Sequence, residues 1–377
     1  MKAKKTILTI ILLVILVACA ALMIFSGRKN NSMNKEAKNI KNEQKLKVTA
    51  SNFASYDFLR AIIGDSKNVE LIFLLGPGKD AHSYDPTPQD LIKIQNSDLF
   101  VYIGGEMEKW ANRVMETLDT KKTNVLCIAD KVDTIKEQEI EGAEDDHDHD
   151  HDHDDDHEHD EKHEDHHHDH EKEEHKHEEH DHEEHEEKEH EHEHHHDEEG
   201  AFDEHIWTSP ENAIKMVRAL EKEMEKIDSE NAEKYKKNAE KYIREIQEVD
   251  KEIRNIVNNK KRDRLVFGDK MPMQYFINYY GLKVSAAFMG CSTETEPSAK
   301  TIAYLVNKVK EEKTPVILYI ELGNGKVADT VAKEVGNNCK TMKIQTLHNV
   351  TKDDFEKGKT WVSLMKENIS VLKEALN

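Results

Sequence analysis

Twenty-one of the chain's 24 histidines crowd into residues 141–200, and the other three, His82, His205 and His348, stand apart. Neutral imidazole lends a lone pair to divalent cations and suits zinc, copper and nickel. A lone histidine is ordinarily a structural hydrogen-bonding residue. Position sets these three apart. Each follows an expected strand or precedes an expected helix, where loops at the carboxyl edge of a parallel sheet gather ligands. The crowded histidines have a different character. From His147 the chain reads HDHDHDHDDDHEHD, and the pattern runs on to His194-His195-His196. With almost no apolar residue, this window cannot offset its ordering entropy, so it is expected to be disordered, a collector of metal rather than a shaped site. Matches to HExxH, among them those beginning at His163 and His192, arise here from composition. Such a motif has meaning only on an apolar-backed helix that fixes both rings.

Charge follows the same division. Against four lysines the window holds 32 acidic residues and carries −28, whereas the whole chain carries −23. The other 317 residues, with 50 basic and 45 acidic side chains, net +5. That remainder is ordinary in composition and long enough for two domains. A generally acidic, disordered protein is excluded. So is the broad basic field that backbone-driven nucleic-acid binding needs.

The elements that must position the three histidines alternate. Leu46 to Ala50, Val69 to Leu74, Leu99 to Ile103 and Val125 to Ile128 are short apolar runs. Helical patterns lie between them at Tyr56 to Ile63, Gln89 to Gln95 and Met107 to Leu118. This alternation predicts an α/β fold with parallel sheets. After the acidic window, Ser209 and Pro210 supply an N-cap and an N1 proline for a helix reading Ile214, Val217, Leu220, Met224 and Ile227. A second helix carries Ala232, Tyr235, Ala239, Tyr242, Ile246, Val249, Ile253 and Ile256, a strict 3,4 stripe. Such a seam serves a coiled-coil dimer or one long helix packed along two lobes. Alternation resumes at once, with runs at Leu265 to Phe267, Val316 to Ile320 and Met342 to Ile344, which favours the second. Helices are expected between them at Met273 to Tyr280, Ala299 to Lys310 and Val327 to Val335, and a last one near Trp361 to Leu376.

At the N-terminus, Lys2, Lys4 and Lys5 precede an apolar stretch from Ile7 to Phe25 broken only by Thr9. That length spans a bilayer, and the lysines favour a cytoplasmic N-terminus. Within it, Leu16-Val17-Ala18-Cys19 resembles a bacterial lipobox, so the anchor is either an uncleaved helix or a lipidated Cys19. Both readings place the protein on the outer face of the cell membrane. Beyond the anchor only Cys127, Cys291 and Cys339 remain. No CxxC pair occurs, and a disulfide between Cys291 and Cys339 is left open.

His82 lies in Asp80-Ala81-His82-Ser83-Tyr84-Asp85-Pro86-Thr87-Pro88. This loop resembles the first metal-site loop of the zinc and manganese solute-binding proteins of bacterial ABC importers. Asp203-Glu204-His205-Ile206-Trp207-Thr208-Ser209-Pro210-Glu211 is similar to that family's second-ligand segment, which a His-rich loop precedes in members that carry one. The likeness continues through Tyr275-Phe276, Tyr280-Gly281-Leu282, Glu296-Pro297-Ser298 and Glu321 to the last helix around Asn368. It implies two α/β lobes with mainly parallel sheets, joined by a long rigid helix. Residues 1–29 would be the anchor or lipoprotein signal and 30–45 a tether. The first lobe would take 46–140 and 201–227, with the metal-collecting loop at 141–200, the linking helix at 228–262 and the second lobe at 263–377.

The resemblance also implies a ligand set, with two departures. Five residues before Tyr275 the family offers His or Glu, and this chain has Lys270; Asp269 is the nearest carboxylate, with a helix N-cap as its other role. Where the family has an Asp after a late strand, this chain has His348. The expected metal ligands are therefore His82, His205, His348 and Asp269, with Glu294, Glu296 and Glu321 in reserve. Three imidazoles and one carboxylate favour Zn2+, with Mn2+ second. The implied function is capture of the metal as transported cargo and delivery to an ABC permease and its ATPase, by a membrane-anchored monomer that is not an enzyme. Two other classes are weighed: an extracellular zinc buffer or adhesin, and a zinc hydrolase with Glu294 as base.

Overall fold

The structure is a computed structural model that describes residues 45–143, 202–290, 292, 296–336 and 339–377. The N-terminal apolar stretch with Cys19, the HExxH matches, Cys291 and Glu294 lie outside the described residues, as does nearly all of the His-rich window. Among the described residues no helix is long and apolar enough to cross a membrane.

Two four-stranded parallel sheets carry the fold. In the first, β1 (Leu46–Ala50), β2 (Val69–Phe73), β3 (Leu99–Tyr102) and β4 (Asn124–Cys127) stand in the order β2-β1-β3-β4. Their crossovers are α1 (Phe53–Ile63), α2 (Pro88–Gln95) and α3 (Trp110–Met115). Helix starts follow their caps: Asn52 Oδ1 accepts from Ser55 N, and Thr87 and Asp90 form a capping box with Pro88 at N1. The expected helix from Met107 to Leu118 is shorter than its pattern. A 3-10 turn at Glu106–Glu108 precedes α3 because Glu108 turns inward, accepting from the amides of Ile103 and Gly104.

The connection to the second sheet is helical. Ser209 caps α4 (Pro210–Ile227), and α5 (Ala232–Asn258) follows. Tyr235, Ala239, Tyr242, Ile246, Val249, Ile253 and Ile256, the apolar stripe read from the sequence, are all buried inside the chain. The seam therefore packs against the protein itself rather than a second copy.

The second sheet has β5 (Arg264–Lys270), β6 (Lys283–Phe288), β7 (Val316–Ile320) and β8 (Lys340–Ile344) in the order β6-β5-β7-β8. Helices α6 (Gln274–Tyr280), α7 (Ala299–Glu312), α8 (Lys326–Val335) and α9 (Lys352–Glu356) accompany it, and α10 (Trp361–Leu376) closes the chain. β6 is absent from the sequence expectations. The α/β class with two parallel sheets is the one the sequence implied.

Buried Asp57 of α1 gathers the layers. Its carboxylate accepts from the Tyr242 hydroxyl on α5 and the Trp361 amide of α10, and it pairs with Arg60. Trp361 Nε1 in turn donates to the Trp207 carbonyl, and Trp207 Nε1 to the Thr346 carbonyl. The segments before α4 and after β8 are thus fixed against one another, and Asn349 of the latter bonds the Gly76 and Lys79 carbonyls of the segment after β2. These segments carry the three isolated histidines.

Candidate metal centre

Each histidine is aimed by its own loop. After β2, Asp80 Oδ1 accepts from the backbone amide of His82 at 2.9 Å and lies 3.2 Å from its Nδ1. Before α4, Asp203 Oδ1 accepts from the His205 amide at 2.8 Å and lies 3.0 Å from its Nδ1. The same Asp-X-His device is used twice. Each carboxylate holds a proton on Nδ1 and leaves the Nε2 lone pair free, the arrangement that presents imidazole to a metal. Both Nε2 atoms are buried without a hydrogen-bond partner. An unsatisfied buried polar atom costs about 1–3 kcal/mol, so two side by side need a reason.

His348 completes the group. The backbone turns at Leu347, which has φ 59, a left-handed conformation that a leucine rarely adopts. Buried Glu321 braces the turn by accepting from the Thr346 amide at 2.9 Å and the Thr346 hydroxyl. Asn349 Nδ2 ties the turn to the loop after β2 through the carbonyls of Gly76 and Lys79. The His348 ring stacks on His82 with centroids 4.8 Å apart, and His205 stands 5.6 Å from His82 and 5.5 Å from His348. Asp80, His82 and His348 can each offer a ligand atom, all within 4.8 Å of one another.

Nε2 of His348 faces two groups at once: the Ala81 amide, which donates to it at 3.2 Å, and Asp80 Oδ1, also at 3.2 Å. Burial pushes this ring down to about 4, against the hydrogen bond to Asp80, so it is neutral near pH 7. A neutral Nε2 can satisfy the donor or the acceptor, not both. A cation on the Nε2 lone pair would take the place of the Ala81 donor and answer the negative charge of Asp80. Hydrogen bonding to the rings of His348 and His82 holds Asp80 far below the usual carboxylate range, against its partial burial. Asp80 is therefore ionised. At His205 burial opposes charge, yet the Asp203 carboxylate outweighs it and raises the ring above its ordinary value.

The structure brings together His82, His205 and His348 but not Asp269. Asp269 accepts from the amides of Lys270 and Ile320, its Oδ2 pressed against Gly323, where any Cβ would collide. The β5 ladder shifts register between Phe267 and Lys270, and a bulge of that kind re-aims side chains. Of the reserve carboxylates, Glu321 is a brace and Glu296 is exposed. Asp80, not Asp269, is the carboxylate beside the imidazoles of His82 and His348. The sequence signal for Asp80 and Asp203 was present in the repeated Asp-X-His spacing.

One further layer holds His205. Tyr275 on α6 donates its hydroxyl to the Asp203 carbonyl at 2.7 Å and accepts from the Ile135 amide at 3.1 Å. Beside it, the Gln274 side chain bonds the Lys136 carbonyl and the Gln138 amide. Both flanks of the His-rich window are thereby fastened to the second sheet's first helix. Cys127 and Cys339 are free thiols.

Residues 48–375 match the family model described as zinc-uptake complex component A, periplasmic. The chain is 30% identical over 364 residues to the high-affinity zinc uptake system protein ZnuA of Bacillus subtilis, covering 97% of each. It is 29% identical to the zinc-binding lipoprotein AdcA of Streptococcus pneumoniae, with 88% of this chain aligned to 56% of that protein, so it spans little over half of AdcA. Among solved structures, the metal-dependent lipoprotein YcdH of Bacillus subtilis superposes with a TM-score of 0.65 at 26% identity, covering 88% of this chain and all of that one. The Zn(II)-bound ZnuA-like domain of Streptococcus pneumoniae AdcA gives 0.63 at 26% identity, covering 88% and 99%. The chain belongs to the zinc-uptake complex component A family of periplasmic binding proteins, which are receptors of uptake systems and not enzymes.

Proposed function

We propose that this chain captures zinc outside the cytoplasm through His82, His205 and His348, with Asp80 orienting His82, and delivers it to a membrane permease driven by an ATPase. The observation that carries this reading is the pair of Asp-X-His devices, which leave two buried, unpartnered Nε2 atoms beside the stacked ring of His348. Three imidazoles make a nitrogen-rich set that selects zinc, with manganese second. The names of the Bacillus and Streptococcus relatives point to the same metal. The receptor acts as a monomer held by its N-terminus, through Cys19 or an uncleaved Ile7 to Phe25 helix. Residues 46–140 and 201–227 serve as one lobe and 263–377 as the other, with 228–262 linking them. The His-rich window collects metal near the centre without forming it.

Calorimetry on a chain lacking residues 141–200 tests the reading. One tight zinc equivalent should persist while several weak ones disappear, and His82→Ala in that background should abolish it. A tight equivalent that vanishes with the window would instead identify an extracellular buffer.

A further inference from the structure

Lys270 ends β5, and its side chain is only 14% exposed, with Nζ 3.7 Å from Asp80 Oδ2. The other oxygen of the same carboxylate, Oδ1, lies 3.2 Å from His82 Nδ1 and 3.2 Å from His348 Nε2. One carboxylate therefore faces the imidazoles with its inner oxygen and an ammonium with its outer one. The neighbouring Asp269 does not take the ammonium away, because its oxygens are engaged by the amides of Lys270 and Ile320. We infer that Lys270 sets the affinity and metal preference of the centre, because its ammonium, held on the outer oxygen of Asp80, offsets the charge of the carboxylate that orients His82.

The inference rests on the metal-centre reading and adds a regulator to it. A fixed cation beside that carboxylate also repels an incoming ion, and in a half-buried setting such repulsion is stronger than in water. The same cation draws charge from the carboxylate on which the ion depends. Both effects weaken binding, so the sign holds whether Asp80 ligates the ion or only orients His82. The penalty is unequal between metals. An ion that relies on carboxylate oxygen, such as manganese, loses more than zinc, which relies on the imidazoles. Lys270 thus favours zinc and keeps its binding reversible, as delivery to a permease requires.

The test uses the full-length chain, with chelator competition at less than one equivalent of metal so that only the tightest site loads. Lys270→Met keeps the side chain's length without its charge, and Lys270→Gln is a second neutral replacement should the first fail to fold. Lys270→Arg keeps the charge. The neutral variants should bind zinc roughly tenfold more tightly, or better, and gain more for manganese. Lys270→Arg should stay within about threefold of the unaltered chain. In an Asp80→Asn background, Lys270→Met should change zinc affinity much less, since its point of action is gone. Unchanged or weaker zinc binding by folded neutral variants overturns the inference, and so does equal tightening by Lys270→Arg. An unaltered chain with no tight zinc equivalent overturns the metal-centre reading itself, and the inference with it.

Discussion

Asp203→Asn separates the charge of an Asp-X-His device from its shape. Asparagine can still accept from the His205 amide and from Nδ1, now at 2.8 and 3.0 Å from Asp203 Oδ1, so the ring keeps its direction. Only the negative charge is lost. An ion on Nε2 would lie roughly 7 Å from that carboxylate, where a divalent charge interacts by about 5 kcal/mol at an effective dielectric near 20. The amide dipole and local relaxation restore part of this, and loss of an outer-shell partner typically costs 10–100-fold in metal affinity. About 1.4–2.7 kcal/mol is therefore expected, a tenfold to hundredfold weaker zinc site. The pH dependence gives a second readout. Asp203 raises the His205 pKa against burial, so a proton competes with the metal over a wider pH range in the unaltered chain than in the variant. The affinity gap should be widest near pH 8 and narrow toward pH 6. Chelator competition across that range measures it. Equal zinc affinity at pH 8 in a variant that melts normally would refute the orienting role of Asp203.

Two further outcomes are expected. His348→Ala, in a chain lacking residues 141–200, should weaken zinc binding at least about tenfold, while His348→Asp should retain binding with a narrower preference over manganese; calorimetry with both metals decides. Burial pushes Glu108 up to about 7, so the stability it allows is complete below its unfolded value near 4.5 and is lost as pH rises through about 7. That loss is on the order of 3 kcal/mol, and Glu108→Gln should remove it, so metal-free melting should fall more steeply from pH 5 to 8 in the unaltered chain than in the variant. Parallel melting curves would show that Glu108 does not titrate there.

Much of the fold was legible because its local signals agree with its packing. Ser209 and Pro210 cap α4 as their types require, and the 3,4 stripe of α5 is the buried face of that helix. β6 was not legible. Lys283–Phe288 reads KVSAAF, a weak run, and becomes a strand through its pairing with β5 from Arg264↔Lys283 onward. At the site, residue types revealed the imidazoles, since three histidines outside a His-rich window are conspicuous. The carboxylates were harder to read, because which way an acid faces depends on contacts far along the chain. Asp269 is turned by a bulge and the β7 amide of Ile320, and Glu321 is taken by a turn 25 residues later. Asp80 comes into place only when the loop after β8 docks on the loop after β2, through Asn349 and His348.

The most direct test of the account is a zinc-soaked crystal of the chain with anomalous diffraction data on both sides of the zinc absorption edge. The account predicts one strong anomalous peak bound by Nε2 of His82 and Nε2 of His205, with His348 joining the coordination, Asp80 on Nδ1 of His82, and Asp269 still on the amides of Lys270 and Ile320. A peak ligated by Asp269, or one that leaves His82 and His205 without metal, would contradict it.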